Sequence, residues 1–118
     1  MPAINVTEPQ FEELILKEGV MLVDFWAAWC GPCRSFAPVY EAASDKYPEI
    51  TFTKVDTEAE QSLSAAAGIT SIPTLMIFRD GILVFSQPGA LPAPALDDLI
   101  SQVLALDMDA IRKEIAGS

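Results

Sequence analysis

Two rhythms of apolar residues alternate along this chain. Thr7 and Gln10 form a capping-box pair, Phe11, Leu14 and Ile15 follow at helical spacing, and Gly19 supplies a stop. VMLVDFW, residues 20–26, is almost continuously apolar, the mark of a strand buried on both faces. A helix is predicted from about Cys30–Pro32 towards Tyr47, with Pro32 tolerated in its first turn and Pro38 expected to kink it. TFTKVD (51–56) reads as the next strand, and 58–67 as an acidic, then alanine-rich helix closed by Gly68. TLMIFR (74–79) and ILVFS (82–86) read as a hairpin across Asp80–Gly81, a pair suited to the positive φ angles of a type I′ turn. Leu96, Leu99, Ile100, Val103 and Leu104 predict a last helix over about 94–106, with Asp97 and Asp98 placed in its first turn.

The order is (β)αβαβαββα, an α/β chain. Its central mixed sheet should have four to five strands flanked by about four helices, with a parallel core and the late hairpin adding antiparallel edge strands. Residues 1–106 make one domain. The tail 107–118, DMDAIRKEIAGS, reads as a short helical extension with Met108, Ile111 and Ile115 on one face. Docking, self-association and fraying are all open for it.

Composition narrows the function. The 118 residues suit a single domain, and no repeat or linker interrupts them. Seven basic residues against 17 acidic leave a net charge of −10. That argues against nucleic acid and against an anionic membrane surface, and favours a soluble monomer. MPAINVTEPQ has neither the basic nor the apolar stretch of a secretory signal, and no run is long enough to span a bilayer. A cytoplasmic address is the expectation, and thiols there are held reduced.

Cys30 and Cys33, in WAAWCGPCRS, are the only cysteines, and the chain has no histidine. Structural zinc wants four such ligands, so a metal site would need a second chain to complete it. An inert staple across so short a loop adds little stability. A reversible dithiol–disulfide couple is the reading that fits best. At a helix N-terminus the first thiol meets unpaired backbone N–H groups and the positive end of the dipole, which in such motifs brings a thiol from about 8.5 towards about 7. Cys30 is then the nucleophile. Cys33, one turn inward, resolves the mixed disulfide. Pro32 removes one N–H and stiffens the turn. Arg34 is either a cation tuning the site or a solvated surface charge.

Asp24 is the one charge in its strand, on the face shared with Leu22 and Trp26. A buried carboxyl without a partner titrates high, and such a group below Cys33 can take and return that thiol's proton. An edge aspartate facing water is the alternative. Lys54, in the neighbouring strand, is equally read as an exposed strand lysine.

DFWAAWCGPC, then Phe36–Ala37–Pro38, KVD, GITSIPTLMIF, DG and PGAL stand in an order and spacing that resemble the thioredoxin family over roughly residues 5–106. The resemblance implies the thioredoxin fold and general protein-disulfide reduction. It also implies electrons from NADPH through a flavin-dependent thioredoxin reductase, no cofactor bound to this chain, and diverse disulfide-containing client proteins as partners. It assigns Asp24 the proton-transfer role and matches Lys54 to a lysine beside that acid. Gly31, Pro32, Lys54 and Pro73 become tuning residues. Generic X-Pro bonds are mostly trans, so composition alone predicts trans for Ile72–Pro73; the resemblance implies cis, packed on the disulfide. It opens the Ile72 backbone to an extended client strand. Trp29, Ile72, Pro73, Thr74, Gly89 and Ala90 become the client-binding collar, Trp29 exposed and Trp26 core, with Gly89 permitting close approach.

Pro88 and Arg34 depart from the family's commoner residues. Strong oxidants and isomerases of this fold usually carry a histidine between their cysteines; Gly-Pro here points to reduction. The rival function is a binding module that uses the same collar without redox turnover.

Overall fold

The structure is a computed structural model that describes residues 3–117. In chain order the elements are β1 (Ile4–Asn5), α1 (Glu8–Leu14), β2 (Val20–Trp26), α2 (Gly31–Lys46), β3 (Thr51–Asp56), α3 (Gln61–Ala66), β4 (Thr74–Arg79), β5 (Ile82–Pro88), α4 (Ala93–Leu104) and α5 (Met108–Ala116). The sheet runs β1-β3-β2-β4-β5. β3 is parallel to β1 and β2, whereas β4 is antiparallel to β2 and β5.

β2 earns its central place by being apolar on both faces. Leu22 packs with Phe36, Tyr40, Phe52, Leu75, Leu96 and Ile100 under α2 and α4. Val23 and Phe25 pack with Phe11, Val55, Leu63 and Met76 under α1 and α3. Each fully buried side chain of this size contributes about 1.5–3 kcal/mol.

Several expected boundaries move. The hairpin does not lie wholly at the edge: β4 sits inside the sheet, and only β5 is an edge, because β2 needs a partner opposite β3. Asp80 (φ 54°) and Gly81 (φ 81°) form the expected turn, but β5 continues to Pro88. α3 begins at Gln61 rather than 58, since Asp56 Oδ1 accepts the N–H groups of Glu58 and Ala59 and holds them in a turn. α1 ends at Leu14, so Gly19 is not its stop; at φ +97° it opens β2 instead. α2 continues through Pro38. α4 starts at Ala93, which puts Asp97 and Asp98 beyond its first turn, and Asp97 pairs with Lys46 at 2.9 Å.

The tail is helical and lies against the body. Met108 is buried, Ile111 half-buried and Ile115 exposed, while Arg112 reaches Asp80 Oδ2 at 3.1 Å. Arg79 Nη1 donates to the carbonyls of Val103, Leu104 and Leu106, closing the end of α4. Among the described residues, no helix is long and apolar enough to cross a membrane.

Candidate active site

β2 delivers the chain to Ala27–Trp29, and α2 starts directly behind. Cys30 is the N-cap residue of α2, with φ −85° and ψ 113°, and Pro32 lies in the first turn, where its missing N–H costs no helical bond. Cys30 and Cys33 are joined as a disulfide, with 5.2 Å between their Cα atoms. The Cys33 N–H points at Cys30 Sγ from 3.2 Å. A sulfur thus occupies the place that a Ser or Asp oxygen takes in an ordinary cap. On reduction, the same N–H and the helix dipole favour negative charge on that sulfur.

From across the sheet the Ile72 carbonyl oxygen comes to 3.7 Å from Cys30 Sγ. The Ile72–Pro73 peptide is cis. Ile72 packs on the cluster of Ala27, Cys30 and Cys33, and Pro73 is buried. The Pro73 carbonyl is taken by the Gly89 N–H at 2.7 Å. Both cysteines are buried.

Behind the disulfide, Asp24 is buried in β2, flanked in register by Lys54 of β3 and Leu75 of β4. Its Oδ1 has no hydrogen-bond partner within the protein. Burial pushes its carboxyl from 3.8 up to about 7, and the charge of Lys54 works in the opposite direction. Asp24, Cys33, Lys54, Trp26, Ala27, Ala28, Arg34 and Ala37 line one cavity of about 100 Å³. That volume is large enough to admit water, and Asp24 and Cys33 both line it.

The collar is only partly as expected. Trp29 is 67% exposed, and Gly89 and Ala90 are on the surface. Thr74 is not: it is buried, and its hydroxyl donates to the Ser71 carbonyl, leaving no side-chain group for a client. Gly89 has a φ of +107°, which favours glycine, and a Cβ there would meet nothing of this chain within 4 Å. Trp26 is half-buried rather than core: its Nε1–H donates to Asn5 Oδ1 at 3.1 Å, and Lys54 Nζ lies 4.8 Å from its ring centroid. Lys54 is therefore more than an exposed strand lysine. Arg34 is surface-exposed yet anchored, its Nη1 donating to the Ala28 carbonyl at 2.9 Å.

Glu58 and Asn5 also belong to the surroundings of the site. Glu58 Oε1 accepts the Trp29 indole N–H at 2.6 Å. Both residues meet a tryptophan more than twenty positions away, and no local pattern marks such a contact.

The thioredoxin family model matches residues 2–102. The chain belongs to the thioredoxin family. It is 51% identical to putative thioredoxin 2 of Streptomyces coelicolor, over 96% of this chain and 84% of that protein. It is 41% identical to thioredoxin 1 of Synechococcus elongatus, over 86% and 97% respectively. Among solved structures, a mutant thioredoxin from Halobacterium salinarum superposes with a TM-score of 0.80 at 32% identity, covering 89% of this chain and 92% of that one. Plasmodium falciparum thioredoxin gives 0.77 at 35% identity, covering 85% and 97%. The five-stranded mixed sheet is the thioredoxin fold, and the bonded cysteines are its redox couple. This thioredoxin-family chain is a thiol-disulfide oxidoreductase that acts as a protein-disulfide reductase.

Proposed function

We propose that the chain reduces disulfides in varied client proteins and is recharged by a flavin-dependent, NADPH-driven thioredoxin reductase. The carrying observation is Cys30 Sγ at the cap of α2, against the Cys33 N–H and 3.7 Å from the Ile72 carbonyl. In the reduced protein, Cys30 thiolate attacks one sulfur of a client disulfide. A mixed disulfide forms, and the other client sulfur leaves as thiolate and takes a proton. Asp24 carboxylate accepts the Cys33 proton through the cavity that both line. Cys33 thiolate then attacks Cys30 Sγ, expels the second client thiolate and leaves the Cys30–Cys33 disulfide. Two electrons have passed to the client. The reductase returns two electrons from NADPH as a hydride, the second proton coming from solvent.

Clients dock by backbone at Ile72 and by contact with Trp29, Gly89 and Ala90. That rim carries no charged side chain of its own, which suits many sequences. A depression of about 200 Å³ lined by Trp29, Thr57, Ser64, Ile69, Thr70, Ser71 and Ile72 gives room for a client side chain. The chain works as a monomer in a reducing cytoplasm, where a couple of this direction is kept supplied with electrons.

Insulin reduction tests the chemistry and the partner separately. With dithiothreitol as reductant, insulin should precipitate faster with the wild type and at the background rate with Cys30→Ser. With NADPH and a thioredoxin reductase in place of dithiothreitol, NADPH oxidation should require the wild-type protein. Activity in the first assay alone would retain the exchange chemistry and remove the proposed partner.

A further inference from the structure

Asn5 touches neither sulfur nor client, yet it is tied to the proton-transfer cavity. It occupies β1, opposite Lys54 in register, and Lys54 in turn stands opposite Asp24. Residues in register place their side chains on the same face of a sheet. An amide, an ammonium and a carboxyl therefore form a row across three strands. The row cannot slip, because the Val6 N–H binds the Lys54 carbonyl at 2.9 Å and pins β1 in place. Asn5 Oδ1 holds the Trp26 indole N–H at 3.1 Å, and the Trp26 ring supports Lys54 Nζ at 4.8 Å, well inside cation–π range. Trp26, Lys54, Asp24 and Cys33 all face the same cavity.

We propose that Asn5 is a positioning residue for the resolution step: by anchoring the Trp26 indole it seats the Lys54 ammonium beside Asp24. An unanchored lysine on a strand surface spends its rotamer freedom in solvent, where water screens its charge. A lysine held on a fixed aromatic face stays at the cavity wall and favours the carboxylate form of Asp24, the form that accepts a proton. The other groups around Asp24 offer no substitute. α2 contributes the Cys33 sulfur, the Tyr40 phenol and, at the cavity wall, Arg34, whose guanidinium is tied to the Ala28 carbonyl at the surface, where solvent screens its charge. β4 contributes apolar Leu75. The catalytic consequence rests on Asp24 as acceptor of the Cys33 proton; the electrostatic one does not.

The test is an NMR titration of the ¹³C-labelled Asp24 carboxyl in the full-length protein, run beside the pH profile of mixed-disulfide resolution. Asn5→Leu keeps the bulk and removes the acceptor; Asn5→Ala is read in parallel in case leucine perturbs the edge strand. Both should move the Asp24 midpoint to higher pH and slow resolution at pH 7 by about threefold, the scale of one exposed cation–π contact. Lys54→Met should move the midpoint at least as far, and adding Asn5→Leu to it should move it no further. A midpoint that stays or falls in the Asn5 variants overturns the proposal, as does an undiminished effect of Asn5→Leu in the Lys54→Met background. If the wild-type resolution rate shows no titration near pH 7 while the carboxyl midpoint still follows Asn5, then Asn5 seats Lys54 as stated and Asp24 is not the acceptor.

Discussion

The two ends of β2 treat polar groups in opposite ways. At the Val20 end the polar groups are paired. Asp80 Oδ1 accepts the Gly19 N–H at 2.8 Å, its Oδ2 meets Arg112, and Arg79 closes the carbonyls of α4. Towards the Trp26 end, Asp24 is buried with a carboxyl oxygen that no protein group satisfies. Pairing at the first end holds the hairpin turn, α4 and the tail together. The unpaired acid at the second end weakens the fold at neutral pH and gains a carboxyl that changes charge near pH 7. One strand thus carries a structural knot at its start and reactive chemistry at its finish.

Cys33→Ser breaks the reactive end most completely. Turnover should fall to background while Cys30 still attacks, so clients accumulate as mixed disulfides visible by non-reducing electrophoresis and mass spectrometry.

Asp24→Asn should slow resolution by about a hundredfold at pH 8, the usual scale of a lost general base, and flatten its rise through pH 7. It should also stabilise the protein, and the sign follows from linkage. The folded carboxyl titrates about 7 and the unfolded one at 3.8, so wild-type stability is fully present below 3.8 and declines as pH rises to about 7. The loss has a ceiling of about 4 kcal/mol. Urea unfolding of the oxidised proteins at pH 3.5 and pH 8 should show the variant's advantage only at pH 8.

At the paired end, Arg79→Met removes a donor shared by three carbonyls and should destabilise by about 1–3 kcal/mol, with insulin reduction unchanged. Arg112→Ala should do least. Its side chain is 47% exposed, so screening holds the loss below about 1 kcal/mol, read as a small drop in Tm that added salt diminishes.

How much was legible varied with the range of the interaction. β2, β3 and β4 begin and end where the apolar pattern places them, and α2 begins among the cysteines as expected. In each, the pattern is written within a few residues. α3 starts later than its composition predicts because the Asp56 side chain competes with the helix for its first N–H groups. The two tryptophans were harder. Trp26 and Trp29 sit in the same apolar stretch, and the partners of their indole N–H groups, Asn5 and Glu58, arrive from elsewhere in the fold. Thr74 matches a motif position, but the fold turns its hydroxyl inward to Ser71.

The sequence by itself determined that two thiols stand one helical turn apart at the mouth of a helix, behind a strand with a single acid in an apolar run. Spacing, caps and alternation are local, so they survive translation from chain to fold. Only the tertiary structure decided what surrounds those thiols. The Ile72 carbonyl meets Cys30 across 42 positions of sequence, and β3 enters between β1 and β2 to align Asn5, Lys54 and Asp24. Strand order and register are set by the packing of the whole sheet, and no short stretch of residues contains them.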